Sequence, residues 1–353
     1  MTRTLKSLLA LTVERRASDL HLNVGIPPKI RIDGKLVSAD EKIVTSEEAK
    51  ALCFECLSKE QIARLEHDFS IDLSFGLEGI SRFRGNVYWA QGNISGAFRT
   101  ISERISKPEE LGIPPVVTGL TSRPRGLILV TGATGSGKST TLASLVEIIN
   151  ETRNEHIITI EDPIEFVYRQ KKCTIHQREV GKDALNFPSA LKYVLRQDPD
   201  IVLIGEMRDL ETIQSAITIA ETGHLVFATL HTNTTSQTID RIIDVFPPHQ
   251  QPQVRTQLSF ILEGILCQQL LPKKGGGRQL ALEILIPTPG IRNLIREGKT
   301  HQIFSQMQMG QQDTGMITLD QSLAKLVKEG VIEKSEALVR CSSRADLQKL
   351  LDE

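Results

Sequence analysis

Residues 132–140 read GATGSGKST, and their types and spacing suit one task, holding a chain of phosphates. Gly132, Gly135 and Gly137 let the backbone curl so that successive N–H groups, those of Ala133, Thr134 and Ser136 among them, can point inward at phosphate oxygens. Lys138 supplies a point charge for the β- and γ-phosphates. The Ser139 hydroxyl, with Thr140 beside it, suits Mg²⁺. An apolar run at 127–130 precedes the loop and a helical pattern at 142–149 follows it. A helix starting here adds its positive dipole end and unpaired N–H donors. A glycine-rich turn that binds nothing is the alternative, and the strand–turn–helix context favours a nucleoside triphosphate site.

Other groups with chemistry stand at the ends of similar apolar runs, 157–160, 201–204 and 225–230. Splitting a γ-phosphate needs an in-line water, charge neutralisation and Mg²⁺ more than covalent chemistry. Glu206, after the run 201–204, is the candidate for orienting and deprotonating that water; the plainer reading is an acid paired with Arg208. The usual Mg²⁺-holding aspartate would fall where Gly205 stands. Glu161, Asp162 and Glu165 are therefore the expected acid supply, Glu161 and Asp162 for the metal and Glu165 for catalysis. Pro163 keeps that cluster out of a regular helix. His231, at the end of 225–230, could contact the γ-phosphate, although a lone histidine is more often a hydrogen-bonded core group. His224 has a weaker claim of the same kind.

The elements that must position these groups follow from the pattern. Apolar runs alternating with helical segments from Arg125 onward, with a further run at 280–286, predict an α/β unit built on a largely parallel sheet. In such sheets ligands collect beyond the carboxyl ends of the strands. Residues 1–101 predict a small α+β domain, with an amphipathic first helix, a hairpin signal at Asp33-Gly34, helices near 46–57 and 59–67, and strands at 68–75, 81–90 and 93–100. Arg82 and Arg84 share one face of their strand and Arg99 lies on the next; by spacing alone they read as solvated surface arginines. Residues 102–124, rich in proline, are the expected linker, 125–287 the second domain, and 288–353 a helical tail. Charge is balanced at −1, aromatic residues are 4 %, and no apolar run reaches the roughly 18 residues a membrane span needs. Five scattered cysteines, with one C-x-x-C at Cys53 and Cys56 in a helical pattern, point to reduced thiols and a cytoplasmic protein.

The motifs together resemble the secretion-ATPase superfamily, in particular the type IV pilus retraction ATPases (PilT-like). The matching segments are SDLHLNVGIPPKIRIDG at 18–34, the glycine loop, ITIEDPIEF at 158–166 (the Asp box), LRQDPDIVLIGEMRD at 195–209 (an atypical Walker B), TGHLVFATLHTN at 222–233 (the His box) and IDRIIDVFPPHQQ at 239–251. The resemblance implies a PAS-like N-terminal domain joined to a RecA-like P-loop ATPase domain, binding ATP and Mg²⁺ and assembled as a homo-hexamer. It also implies that Arg84 and Arg99, with Arg82 a third, complete a nucleotide pocket between subunits or domains. Arg241 is a further nucleotide contact, and His224 is retained as one. Residues 290–297, GIRNLIRE, resemble the AIRNLIRE motif of the retraction branch with glycine in place of alanine. The implied function is ATP-driven pilus retraction and twitching motility. The implied partners are an inner-membrane platform protein (PilC-like) and, through it, pilin, with peripheral membrane association and no nucleic acid. Alternatives are an accessory (PilU-like) retraction ATPase, a nucleic-acid translocase, which would want a basic channel with stacking aromatics, and a nucleotide-gated scaffold without hydrolysis.

Overall fold

The computed structural model describes residues 3–32, 34–101, 104–309 and 314–353. The expected hairpin residue Asp33, and Ser102 and Glu103 of the expected linker, lie outside the described residues. The chain divides into two compact units, Met1–Arg104 and Ile105–Glu353.

The first unit contains α1 (Leu5–Glu14), β1 (Asp19–Leu22), β2 (Lys29–Ile32), β3 (Lys35–Ser38), α2 (Ser46–Phe54), α3 (Lys59–Asp68), β4 (Ser70–Leu77), β5 (Ser81–Ala90) and β6 (Asn93–Ile101). Among the described residues the strands form one antiparallel sheet ordered β3-β2-β1-β6-β5-β4. Alternation along β5 buries Phe83 and Val87 and turns Arg84 outward. Phe98 is fully buried, and it fits because Gly85 and Gly96 lack side chains: a Cβ at either would come within 2.8 or 2.7 Å of its ring. On the opposite face the register lines up Arg31, Asp19, Arg99 and Arg84 across β2, β1, β6 and β5. Cys53 is buried and Cys56 half-buried, and burial pushes both thiols up to about 12.

The second unit contains, after α4 (Pro108–Leu111) and α5 (Pro115–Thr118), the strands β7 (Gly126–Thr131), β8 (His156–Glu161), β9 (Thr174–Glu179), β10 (Ile201–Ile204), β11 (Leu225–Leu230), β12 (Leu262–Pro272) and β13 (Arg278–Leu285). Helices α6 (Lys138–Thr152), α7 (Phe187–Val194), α8 (Leu210–Glu221), α9 (Thr235–Asp244) and α10 (Gln251–Ile261) connect them. The order is β13-β12-β7-β11-β10-β8-β9, parallel except for β13 at the edge. Both faces are covered. Leu142, Leu145 and Ile149 of α6 pack with Ile128 and Val130 on one side, and Ile213, Ile239 and Leu258 pack with Leu127 and Leu129 on the other. Ile113, Val117 and Leu120, from the stretch expected as linker, are buried in the first of these clusters. That stretch therefore contributes core as well as connection.

After β13 come α11 (Pro289–Glu297), α12 (Ile303–Met309), α13 (Leu319–Lys328), α14 (Lys334–Arg340) and α15 (Arg344–Asp352). Leu319, Leu323, Ala337 and Leu347 of the last three helices pack on Leu271 and Ala281 of the sheet. Asp320 is buried and accepts the backbone N–H groups of Ser342 (2.7 Å) and Ser343 (2.9 Å), tying α13 to the start of α15. Asp320→Ala strands both donors, so chemical denaturation should show a loss of about 2–4 kcal/mol; a change under about 0.5 kcal/mol, the size of an ordinary surface substitution, would show that the tie carries no weight.

Candidate functional site

The glycine loop lies between β7, buried along its length, and α6, whose N-cap is Gly137. Gly132, Gly135 and Gly137 have φ of +140°, +80° and +91°, conformations L side chains rarely adopt. At Gly132 a Cβ would also collide with the Gln268 carbonyl and with Ser136 Oγ, 2.6 Å away. A cavity of about 200 Å³ opens against Ala133, Thr134, Gly135 and Ser136 on the loop and Asn233, Gln268, Gln269 and Leu270 beyond it. Ser136 Oγ and Gln268 Oε1 are buried polar atoms without a hydrogen-bond partner among the described residues. Such atoms fit a site that a polar ligand or water completes. Lys138 Nζ donates to the carbonyls of Gly132 (2.9 Å) and Ala133 (3.1 Å), so the ammonium is parked on its own loop. Burial lowers its pKa, against the opposing fields of Glu206 and Glu165. Those two acids are thereby within electrostatic reach of Lys138. Ser139 and Thr140 are half-buried in the first turn of α6.

The parallel register brings the other clusters to the same edge. Because Ile160, Ile204 and Ala228 are aligned across β8, β10 and β11, the residues that follow them emerge side by side. Gly205 makes the approach close: a Cβ there would lie 3.2 Å from Glu161 Cα and from the Ile160 carbonyl oxygen. Thr229 Oγ1 donates to the Gly205 carbonyl at 2.5 Å, and Met207 N–H donates to the Thr229 carbonyl at 3.0 Å. These bonds fix Glu206 between them. Its Oε2 meets Arg208 Nη2 at 2.7 Å and its Oε1 meets His231 Nε2 at 3.0 Å. Burial alone would raise the Glu206 carboxyl, but Arg208 and His231 outweigh it and hold the group below the usual carboxylate range. The pairing with Arg208 is thus real, and it coexists with the approach to His231 and Lys138.

Glu161 Oε1 accepts from Thr159 Oγ1 (2.6 Å) and Gln177 Nε2 (3.1 Å), while burial pushes its carboxyl up. Asp162 and Glu165 are exposed on the irregular loop that Pro163 enforces, and Asp162 also acts electrostatically on Arg208. Hydroxyl and carboxylate oxygens of this kind fit a hard ion such as Mg²⁺, which takes one or two carboxylates and completes its shell with phosphates and water. Among the described residues no three or more His, Cys, Asp or Glu side chains converge as a metal cage.

Other expected residues are placed elsewhere. His224 precedes β11 and bonds the Ile219 carbonyl (3.0 Å) and Thr222 Oγ1 (3.1 Å). The six residues of β11 separate it from His231, and a strand of that length spans about 20 Å. It therefore lies at the opposite edge of the sheet from the glycine loop. Arg241 is exposed in the last turn of α9. In the first unit, Arg84 and Arg99 are exposed and directly opposite one another across β5 and β6. Arg99 Nε donates to Asp19 Oδ1 at 2.9 Å, and Arg82 Nη2 donates to Ser74 Oγ at 3.1 Å. Gln268 and Gln269 border the loop cavity beside Asn233 of the 222–233 segment, and only the two glutamines had gone unnoticed; the polar pair interrupting the apolar run 265–271 was the available signal.

Among the described residues no helix is long and apolar enough to cross a membrane. The chain is 48 % identical over 330 residues to the "Type IV pilus retractation ATPase PilT" of Pseudomonas aeruginosa, covering 94 % of this chain and 96 % of that protein. It is 45 % identical over 317 residues to a "Twitching motility protein" of Neisseria gonorrhoeae, covering 90 % of this chain and 84 % of the other. Among solved structures, the pilus retraction motor PilT with bound ADP superposes with a TM-score of 0.93 at 47 % identity, over 99 % of this chain and all of that one. A family model described as "Type II/IV secretion system protein" matches residues 2–276, and the chain belongs to that family.

Proposed function

We propose that this chain is an ATP-hydrolysing motor for type IV pilus retraction, working as a homo-hexamer docked on an inner-membrane platform protein and driving removal of pilin. The observation that carries the reading is the placing of Glu206 at the end of β10, 3.0 Å from His231 and in the field of Lys138, beside a loop shaped for phosphates. The 48 % identity to a named retraction ATPase over nearly the whole chain supports the biological role.

In this reading the N–H groups of 132–140 wrap the phosphates and Lys138 leaves its two carbonyls for the β- and γ-oxygens. Glu206, kept ionised by Arg208 and His231, takes the proton of the attacking water, a role worth typically 10²–10⁴-fold. His231 bridges Glu206 and the γ-phosphate and so reports whether that phosphate is present. Ser139 and Asp162 would hold Mg²⁺, with Glu161, already engaged by Thr159 and Gln177, reaching it through water. When bound, the ion neutralises phosphate charge. Glu165 adds to the field on Lys138. Arg84 and Arg99, with Arg82 behind them, serve as the cationic groups that meet a triphosphate when the assembly closes, which links chemistry to movement.

The test is twitching motility in a strain lacking its retraction ATPases, complemented with the wild-type chain or with Glu206→Ala. The wild-type chain should restore motility and the variant should not. Restoration only beside a second retraction ATPase would assign the accessory role instead, and equal restoration by both chains would remove Glu206 from the mechanism.

A further inference from the structure

Behind the site lies a carboxylate that the reaction scheme does not use. Glu283 on β13 is 3 % exposed, faces Cys267 across the β12–β13 ladder, and has no basic partner among the described residues. It is met instead by groups at the starts of two helices. Its Oε1 accepts the N–H of Thr235, the first residue of α9, at 2.7 Å; the Thr235 hydroxyl and the N–H of Leu319, the first residue of α13, also favour its ionised form. Burial pushes the Glu283 carboxyl up and the nearby Asp320 adds to this, while the groups at the starts of the two helices act the other way and favour its ionised form.

What α9 carries makes this more than a cap. Just four residues, His231, Thr232, Asn233 and Thr234, join the end of β11 to the start of α9. The sheet fixes one end of this connection and Glu283 holds the other. Within it, Thr232 Oγ1 and Thr238 Oγ1 are hydrogen-bonded at 2.7 Å, and Thr238 lies 3.9 Å from the Cys267 thiol. That thiol in turn accepts Thr131 Oγ1 at 2.9 Å, from the last residue before the glycine loop. Burial pushes Cys267 far above the usual thiol range, so it acts as a neutral packing group here. The line Thr131–Cys267–Thr238–Thr232 runs beneath both the phosphate loop and the histidine.

We infer that Glu283 is a positioning residue for His231: it fixes the start of α9, and with it the connection that presents the imidazole to Glu206. The inference rests on the proposed role of His231. Leu319 N–H brings the start of α13 to the same carboxyl.

The test is a double-mutant cycle on the full-length protein, with kcat and KM for ATP and Kd for ADP measured for Glu283→Gln, His231→Gln and the pair. A misaimed group costs roughly 10- to 100-fold in kcat. Glu283→Gln should lose that much while keeping ADP affinity within about twofold, since the histidine acts where ADP has no phosphate. The pair should turn over as slowly as His231→Gln alone, because both changes remove one function. Should Glu283→Gln fail to fold, Thr235→Pro deletes the N–H that Glu283 accepts at a helix position where proline is well tolerated, and it should give the same split beyond that of Thr235→Val, which removes only the hydroxyl that bonds Met307 Sδ. Wild-type kcat in a folded variant of either kind overturns the inference, as do losses that multiply in the pair. Wild-type kcat for His231→Gln would instead show that the role given to the histidine is wrong.

Discussion

Glu206→Gln should turn over ATP about 10³-fold more slowly than the wild-type chain, in the middle of the range for a lost general base, while binding ADP with nearly unchanged affinity. The amide keeps the shape of the side chain and loses its basicity. Nothing in the glycine loop touches this side chain directly, so the phosphate cradle should survive. The pH dependence follows from the ion pairs. A carboxyl held below its usual range by Arg208 and His231 stays ionised through the neutral region, so the acid limb of kcat assigned to this group should lie below the usual carboxylate range. Removing Arg208 would let burial dominate and move that limb upward. Steady-state turnover with calorimetric ADP binding is the measurement, and turnover within tenfold of wild type would leave Glu206 a structural acid.

Lys138→Ala should behave in the opposite way and lose the nucleotide itself. The ammonium now satisfies the Gly132 and Ala133 carbonyls, and on binding it exchanges them for phosphate oxygens. A charge-assisted bond contributes about 1.5–3 kcal/mol net, so two of them lost should weaken ATP about 100-fold or more. The fold should persist, because Ala133, Thr134 and Gly135 are exposed and the lysine supports no core packing. Binding of a fluorescent ATP analogue, with thermal melting as the control, separates the two effects. Unchanged affinity in a folded variant would mean that the loop does not hold the phosphates. Taken as a pair, the two substitutions should split binding from turnover, which a general loss of stability would not do.

Much of this was legible in the residues because local chemistry and position agree there. The loop at 132–140 demands its glycines, and an apolar run before it with a helix after it leaves little freedom. Glu206 and His231 were readable because each directly follows a buried parallel strand. Three features were not. α10 passes straight into β12 at Leu262, with Gly264 the lone break and no intervening loop, so the strand, and with it Gln268 and Gln269, was hidden in what looks like one apolar segment. β9, TIHQRE at 174–179, is a polar edge strand with only Ile175 and Glu179 buried, and carries no apolar run to announce it. His224 and His231 are close in sequence, but the extended strand 225–230 between them puts them at opposite edges, so the claim His224 shared with His231 does not hold for its place beside the loop. Glu283 was invisible for a different reason: it meets the start of a distant helix, chiefly through the Thr235 N–H, which no side-chain pattern encodes.

The row of Arg31, Asp19, Arg99 and Arg84 in the first unit has an energetic consequence of its own. Like charges placed opposite one another on neighbouring strands destabilise the pair, and Arg84 and Arg99 are so placed. Asp19 engages Arg99 at 2.9 Å and lies 3.8 Å from Arg31, which leaves three guanidinium charges shared against one carboxylate. The sheet is therefore under mutual repulsion whenever no anion is near, and an arriving phosphate gains both its own attraction and the relief of that repulsion. Salt screens the attraction of Asp19 for its two arginines as well as the repulsion, so the effect particular to this row is the difference between the wild-type chain and Arg84→Ala: the wild type should gain more heat resistance, or lose less, as ionic strength rises.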